Sequence, residues 1–110
     1  MPEYNKLVRN HIPEIIMKSG KIANTKILSN EEFIAELRKK AHEELSEYME
    51  ASTDKDSIEE LADLLEIIHS LAAIHGTTFD ELEKVREKKA NERGGFDKRI
   101  FLIGVNDEEN

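Results

Sequence analysis

The chain contains no cysteine and no tryptophan, and only two tyrosines and four phenylalanines. Without cysteine there is no disulfide framework, no zinc–thiolate site and no thiol nucleophile. So few aromatic rings leave little to build a stacking platform for single-stranded nucleic acid. Positive charge is scarce too: 16 Lys and Arg against 24 Asp and Glu leave a formal charge of −8 over 110 residues. Sequence-independent binding to nucleic acid needs basic surface, so no nucleic-acid partner is expected. Long apolar runs are missing as well. No stretch approaches the roughly 20 apolar residues that span a bilayer, and the opening MPEYNKLVRNHIPEII has no secretory-signal pattern. The expectation is a soluble, cytoplasmic protein with no membrane partner. Residues 1–110 have the length of one small domain. An acidic balance still admits a nucleotide, because a metal ion can carry phosphates to an acidic site.

What the chain does have is helix punctuation. Pro13 suits the first turn of a short helix that Gly20 ends. Residues 21–28 read as a loop or a short extended piece. Ser29 with Glu32 has capping-box form, and a long helix follows to about Ala51. Residues 52–56 are polar and turn-like. Asp56 with Glu59, or Ser57 with Glu60, opens a second long helix. The first pairing is preferred because it leaves Glu60 free to point inward. This helix reaches about His75, where Gly76 stops it. Thr78 with Glu81 caps another helix, ending near Glu92 or Arg93 before Gly94-Gly95. Arg99 to Val105 reads as a short strand or an extended arm, and Asn106 to Asn110 as a frayed end. The fold class is all-α: a helical bundle of about four helices, with two long antiparallel core helices. Apolar residues cover most of the circumference of the second long helix, so self-association is expected to complete the bundle.

Two acids sit where those helices should be oily. At about 100° per residue, Phe33, Ile34, Leu37, Ala41, Leu45, Tyr48 and Met49 share a face, and Glu44 falls on it. Glu60 sits likewise among Leu64, Ile67 and Leu71. Each acid has a second one three residues on, Glu47 and Asp63, and residues three apart share a helix face. An unpaired buried carboxylate is costly, so four converging carboxylates imply a positive charge between them. Hard oxygen donors select Mg²⁺, or Mn²⁺, over zinc. Spacing alone says little in a chain this acidic, since other acid pairs recur at the same interval. The oily position of Glu44 and Glu60 carries the inference. His69 and His75 are six residues apart, a poor fit to one helix face, so shared ligation is not expected, and His42 is given no direct role in the chemistry.

Glu44-Leu45-Ser46-Glu47 followed by Glu60-Leu61-Ala62-Asp63 resembles the signature of the MazG-like all-α nucleoside triphosphate pyrophosphatase superfamily. Lys6-Leu7-Val8-Arg9 with Ile12-Pro13, Ala62 to Glu66, Arg93-Gly94-Gly95-Phe96 and Arg99-Ile100 resemble its phosphoribosyl-ATP pyrophosphohydrolase-like branch. The similarity runs over about residues 4–102. It implies a Mg²⁺-dependent enzyme that splits nucleoside triphosphates between the α and β phosphates, giving monophosphate and pyrophosphate, as in nucleotide-pool house-cleaning. It implies Glu44, Glu47, Glu60 and Asp63 as metal ligands, and a homodimer or homotetramer. Relatives often carry Asp after the N-terminal Arg, where this chain has Asn10. Lys6 and Arg9 are candidates to hold the triphosphate, with Lys88, Lys89, Arg93 and Arg99 behind them. Glu47 is the candidate to orient or deprotonate water, with Glu43 in support. Hydrolysis of phosphoribosyl-ATP is an alternative within the enzyme class. A non-enzymatic helical interaction module is the alternative outside it.

Overall fold

Four helices make up the regular structure in the computed structural model, which describes residues 4–107. They are α1 (Ile12–Lys18), α2 (Asn30–Glu50), α3 (Asp54–Ile74) and α4 (Phe79–Arg93). The class is all-α. The chain divides into two units, Met1–Phe79 and Asp80–Asn110. The first holds α1, α2 and α3, and its core lies between α2 and α3.

The caps explain the bounds. Before α2, the Ser29 hydroxyl accepts from the Glu32 backbone N–H at 3.3 Å, and the Glu32 carboxylate accepts from the Ser29 N–H at 3.1 Å. Two orphan donors are thus satisfied reciprocally. α3 begins earlier than the sequence suggested. Thr53, extended at φ −122° and ψ 156°, is its N-cap, and its hydroxyl accepts from the Asp56 N–H at 3.1 Å. Thr53 offers a side-chain oxygen with an acid three residues on, the spacing of the expected Asp56 cap but three residues sooner, so Asp54, Lys55 and Asp56 fold into the first turn. Ser57, the rival cap, spends its hydroxyl on the Thr53 carbonyl at 2.8 Å. At the other end, the Thr77 N–H reaches the Ala72 carbonyl and the Gly76 N–H the Ala73 carbonyl. This closing pattern needs the left-handed backbone that Gly76 adopts at φ +74°. Gly20 ends α1 in the same way, at φ +89°.

Only residues 51–53 separate α2 from α3, so the two helices return side by side as an antiparallel hairpin. Leu37 from α2 and Ile67 and Ala72 from α3 are its buried apolar residues, and no described side chain is completely enclosed. Apolar residues remain exposed on both helices: Leu45 and Met49 on α2, and Ile58, Leu61 and Leu65 on α3. His69, on α3, stacks flat against Phe79 with ring centroids 3.9 Å apart, which gives that histidine a packing role. No helix among the described residues is long and apolar enough to cross a membrane.

The second unit holds nearly all of α4. Residues 99–107 form no regular structure, and no strand occurs among the described residues. The Arg99–Val105 segment therefore does not become the strand its apolar run allowed. A lone strand has no ladder to complete, and the described residues offer it no second one. Residues 106 and 107 are likewise irregular, and 108–110 lie outside the described residues.

Candidate metal centre

The register of the hairpin places the acids. Glu44 lies eight residues before Ser52 and Glu60 eight after it. Both helices rise 1.5 Å per residue, so the two glutamates come level across the α2–α3 interface. Glu44 is buried, at 8% exposure, and Glu60 is half-buried. One oxygen of each, Oε2, is enclosed and has no hydrogen-bond partner. Buried polar atoms are nearly always satisfied, so two orphaned carboxylate oxygens at one level are the feature that needs explaining.

Glu47, one turn from Glu44 toward the hairpin loop, joins them. One oxygen from each of Glu44, Glu47 and Glu60 lies within 4.8 Å of the others. Asp63 does not complete this close set, and the antiparallel course gives the reason. A step of three residues moves toward the loop on α2 and away from it on α3. Glu47 and Asp63 thus lie on opposite sides of the Glu44–Glu60 level, roughly 9 Å apart along the hairpin. Asp63 is instead held by Arg9, whose guanidinium donates to Oδ1 at 2.7 Å.

The electrostatics follow from this crowding. Burial, then the adjacent Glu47 carboxyl, then Glu60 and Asp63 push Glu44 up to about 7 from an ordinary 4.5. The Glu47 carboxyl and then burial push Glu60 upward as well. Such upward shifts mark carboxylates gathered with too little positive charge. The Lys40 ammonium lies 3.9 Å from Glu44 Oε1, beyond hydrogen-bond length, and leaves Oε2 unanswered.

These residues fit a divalent cation. All the donors are carboxylate oxygens, the hard ligands that Mg²⁺ and Mn²⁺ take. Two oxygens on opposite sides of one Mg²⁺ stand about 4.2 Å apart. Separations up to 4.8 Å would close by small side-chain rotations. Exposed Glu47 gives the cluster a solvent-facing side.

The remaining candidates are placed as follows. Lys6 lines a shallow depression with Leu7, Glu36, Lys39, Lys40 and Glu43. Lys6 and Arg9 therefore stand near opposite acids, Lys6 on the Glu43 side and Arg9 on Asp63. Lys88 and Arg93 belong to α4 in the second unit. Lys88 pairs with Glu92 at 4.0 Å, and Arg93 is the last residue of the helix. Lys40 is the residue that sequence reasoning passed over. Its place four residues before Glu44, an interval at which side chains meet on a helix, was the available signal. Comparisons with protein-family models, with curated proteins and with solved structures return no match.

Proposed function

We propose that the chain is a Mg²⁺-dependent nucleoside triphosphate pyrophosphohydrolase that cleaves between the α and β phosphates to release monophosphate and pyrophosphate. The observation that carries this reading is the pair of enclosed, unpartnered oxygens of Glu44 and Glu60, level across two helices with Glu47 beside them. The resemblance of the two acid motifs to the MazG-like superfamily supports it. Glu44, Glu47 and Glu60 would hold Mg²⁺ or Mn²⁺, with Asp63 contributing negative charge alongside. The bound cation would lower the pKa of water and offset charge on the phosphates.

The chain's own groups supply the rest. Glu44, which is buried, and Glu60, which is half-buried, would serve as ligands from facing helices. Glu47 is exposed and takes a proton from the attacking water. The water oxygen bonds to the α phosphorus, the bond to the bridging oxygen breaks, and pyrophosphate leaves with that electron pair. Arg9 and Lys6 hold the phosphates. The thin core and the exposed apolar residues of α2 and α3 support association into a homodimer or homotetramer.

Glu44→Gln and Glu60→Gln should abolish Mg²⁺-dependent pyrophosphate release while far-UV circular dichroism stays unchanged. A panel of normal and modified nucleotides, scored for pyrophosphate against orthophosphate, tests the bond cleaved. Orthophosphate as the sole product would sink the α–β assignment. The exposed helix faces favour one rival, a helical interaction module. Under that reading both Gln variants retain partner binding and the wild type turns over no nucleotide. Phosphoribosyl-ATP belongs in the panel as the narrower alternative substrate.

A further inference from the structure

Among the described residues, the cation in ion-pair range of Glu44 comes from its own helix. Lys40 lies one turn earlier, with its side chain only 22% exposed, although lysines usually extend into water. It also lines the depression shared by Lys6, Lys39, Glu36 and Glu43. Among the described residues, neither Lys6 nor Lys39 has a carboxylate within ion-pair range. Lys6 rests over the Tyr4 ring, 5.7 Å from its centroid. Glu36 and Glu43 offset part of this charge, so the depression is only weakly basic while Lys40 is committed to Glu44.

We propose that Lys40 is a polyphosphate-binding residue with two states: counter-ion of Glu44 without a divalent cation, and phosphate clamp when one is bound. The proposal deepens the pyrophosphohydrolase reading and rests on it. With a divalent ion bound, the Glu44 carboxylate would be committed to that ion, and Lys40 would lose its counter-charge. Lysine's four-carbon stem lets the charge swing without moving the helix. Lys6 and Lys39 line the same depression, and neither has an ion-pair partner among the described residues, so the released charge would add to theirs. Three ammonium groups beside a metal-bound carboxylate suit the β and γ phosphates, the part that leaves. The exchange also makes anion binding conditional on metal, because the third cation becomes available only when Glu44 is occupied.

The test uses the full chain with Lys40→Gln and Lys40→Arg, and two probes: Mn²⁺ alone, and inorganic tripolyphosphate with and without saturating Mn²⁺. Calorimetry should show tighter tripolyphosphate binding by the wild type when Mn²⁺ is present. Lys40→Gln should weaken that binding roughly tenfold, as expected for one lost charged hydrogen bond. It should leave Mn²⁺ affinity unchanged or raise it, since a competing cation has gone. Lys40→Arg should restore tripolyphosphate binding. Unchanged tripolyphosphate affinity in Lys40→Gln overturns the proposal, as does a parallel loss of Mn²⁺ affinity, which would make Lys40 a prop for Glu44. A wild type that binds no Mn²⁺ removes the metal centre itself, and this outcome is distinct from the other two.

Discussion

Replacing Glu44 by Gln should stabilise the metal-free chain while removing a ligand of the proposed metal centre. In the folded state Glu44 is raised to about 7 from 4.5, with burial the leading cause. A folded-state carboxyl raised in this way binds its proton more tightly than in the unfolded chain. Its stabilising contribution is present at low pH and is lost as pH rises from about 4.5 through about 7. Once ionised, it costs the fold of the order of 3 kcal/mol. Glutamine has nearly the same shape and never ionises, so the difference between the two proteins should itself depend on pH. In EDTA at pH 5 the two should unfold at similar temperatures. At pH 8 Glu44→Gln should melt roughly 10 °C or more above the wild type, taking the usual conversion for a domain of this size. Protein concentration must be fixed, because association also shifts melting. Saturating Mg²⁺ should then raise the wild type, by about 2.7 kcal/mol at a hundredfold excess over its Kd, and leave Glu44→Gln where it was. Parallel melting curves across pH would refute the reasoning, and so would a variant less stable than the wild type at pH 8. Either result would mean that the Glu44 carboxylate is solvated rather than trapped.

Three further outcomes are expected. Ser29→Ala removes one side of the capping box before α2 and should cost about 1 kcal/mol in urea unfolding, with little effect on Mn²⁺ affinity. Arg9→Gln breaks an ion pair that is about half exposed on both sides; stability should change by less than about 1 kcal/mol, while under the proposed hydrolase activity the KM for nucleotide should rise. Leu61→Glu places a charge among the exposed apolar residues of α3, and under the proposed self-association sedimentation velocity should show a smaller species than the wild type at equal concentration. An unchanged sedimentation coefficient would remove α3 from the association surface.

Much of the hairpin was legible along the chain because its signals are local. A serine three residues before a glutamate closes a box within one turn, and Gly76 provides a left-handed residue wherever the helix ends. The misjudged start of α3 was a competition between equivalent local signals. Thr53, Asp56 and Ser57 all have cap chemistry, and the earliest won because it adds a turn of helix. The apolar run from Ile100 to Ile103 was ambiguous for the opposite reason, since a strand depends on a partner that may lie anywhere in a chain.

The sequence by itself determined that Glu44 and Glu60 lie on apolar helix faces, since helical periodicity fixes which side chains share a side. It also determined that carboxylate oxygens are the most abundant metal donors, with 24 acids against four histidines and no cysteine. Tertiary structure decided which acids meet. Spacing along each helix treats Glu47 and Asp63 as equivalent, three residues beyond a buried glutamate. The antiparallel return of α3 makes them inequivalent, carrying Glu47 toward the loop and Asp63 away from it. Glu47 therefore joins Glu44 and Glu60 within 4.8 Å, and Asp63 meets Arg9. Direction along a helix has no consequence until a second helix runs against it, so that division was never written in the spacing of either motif.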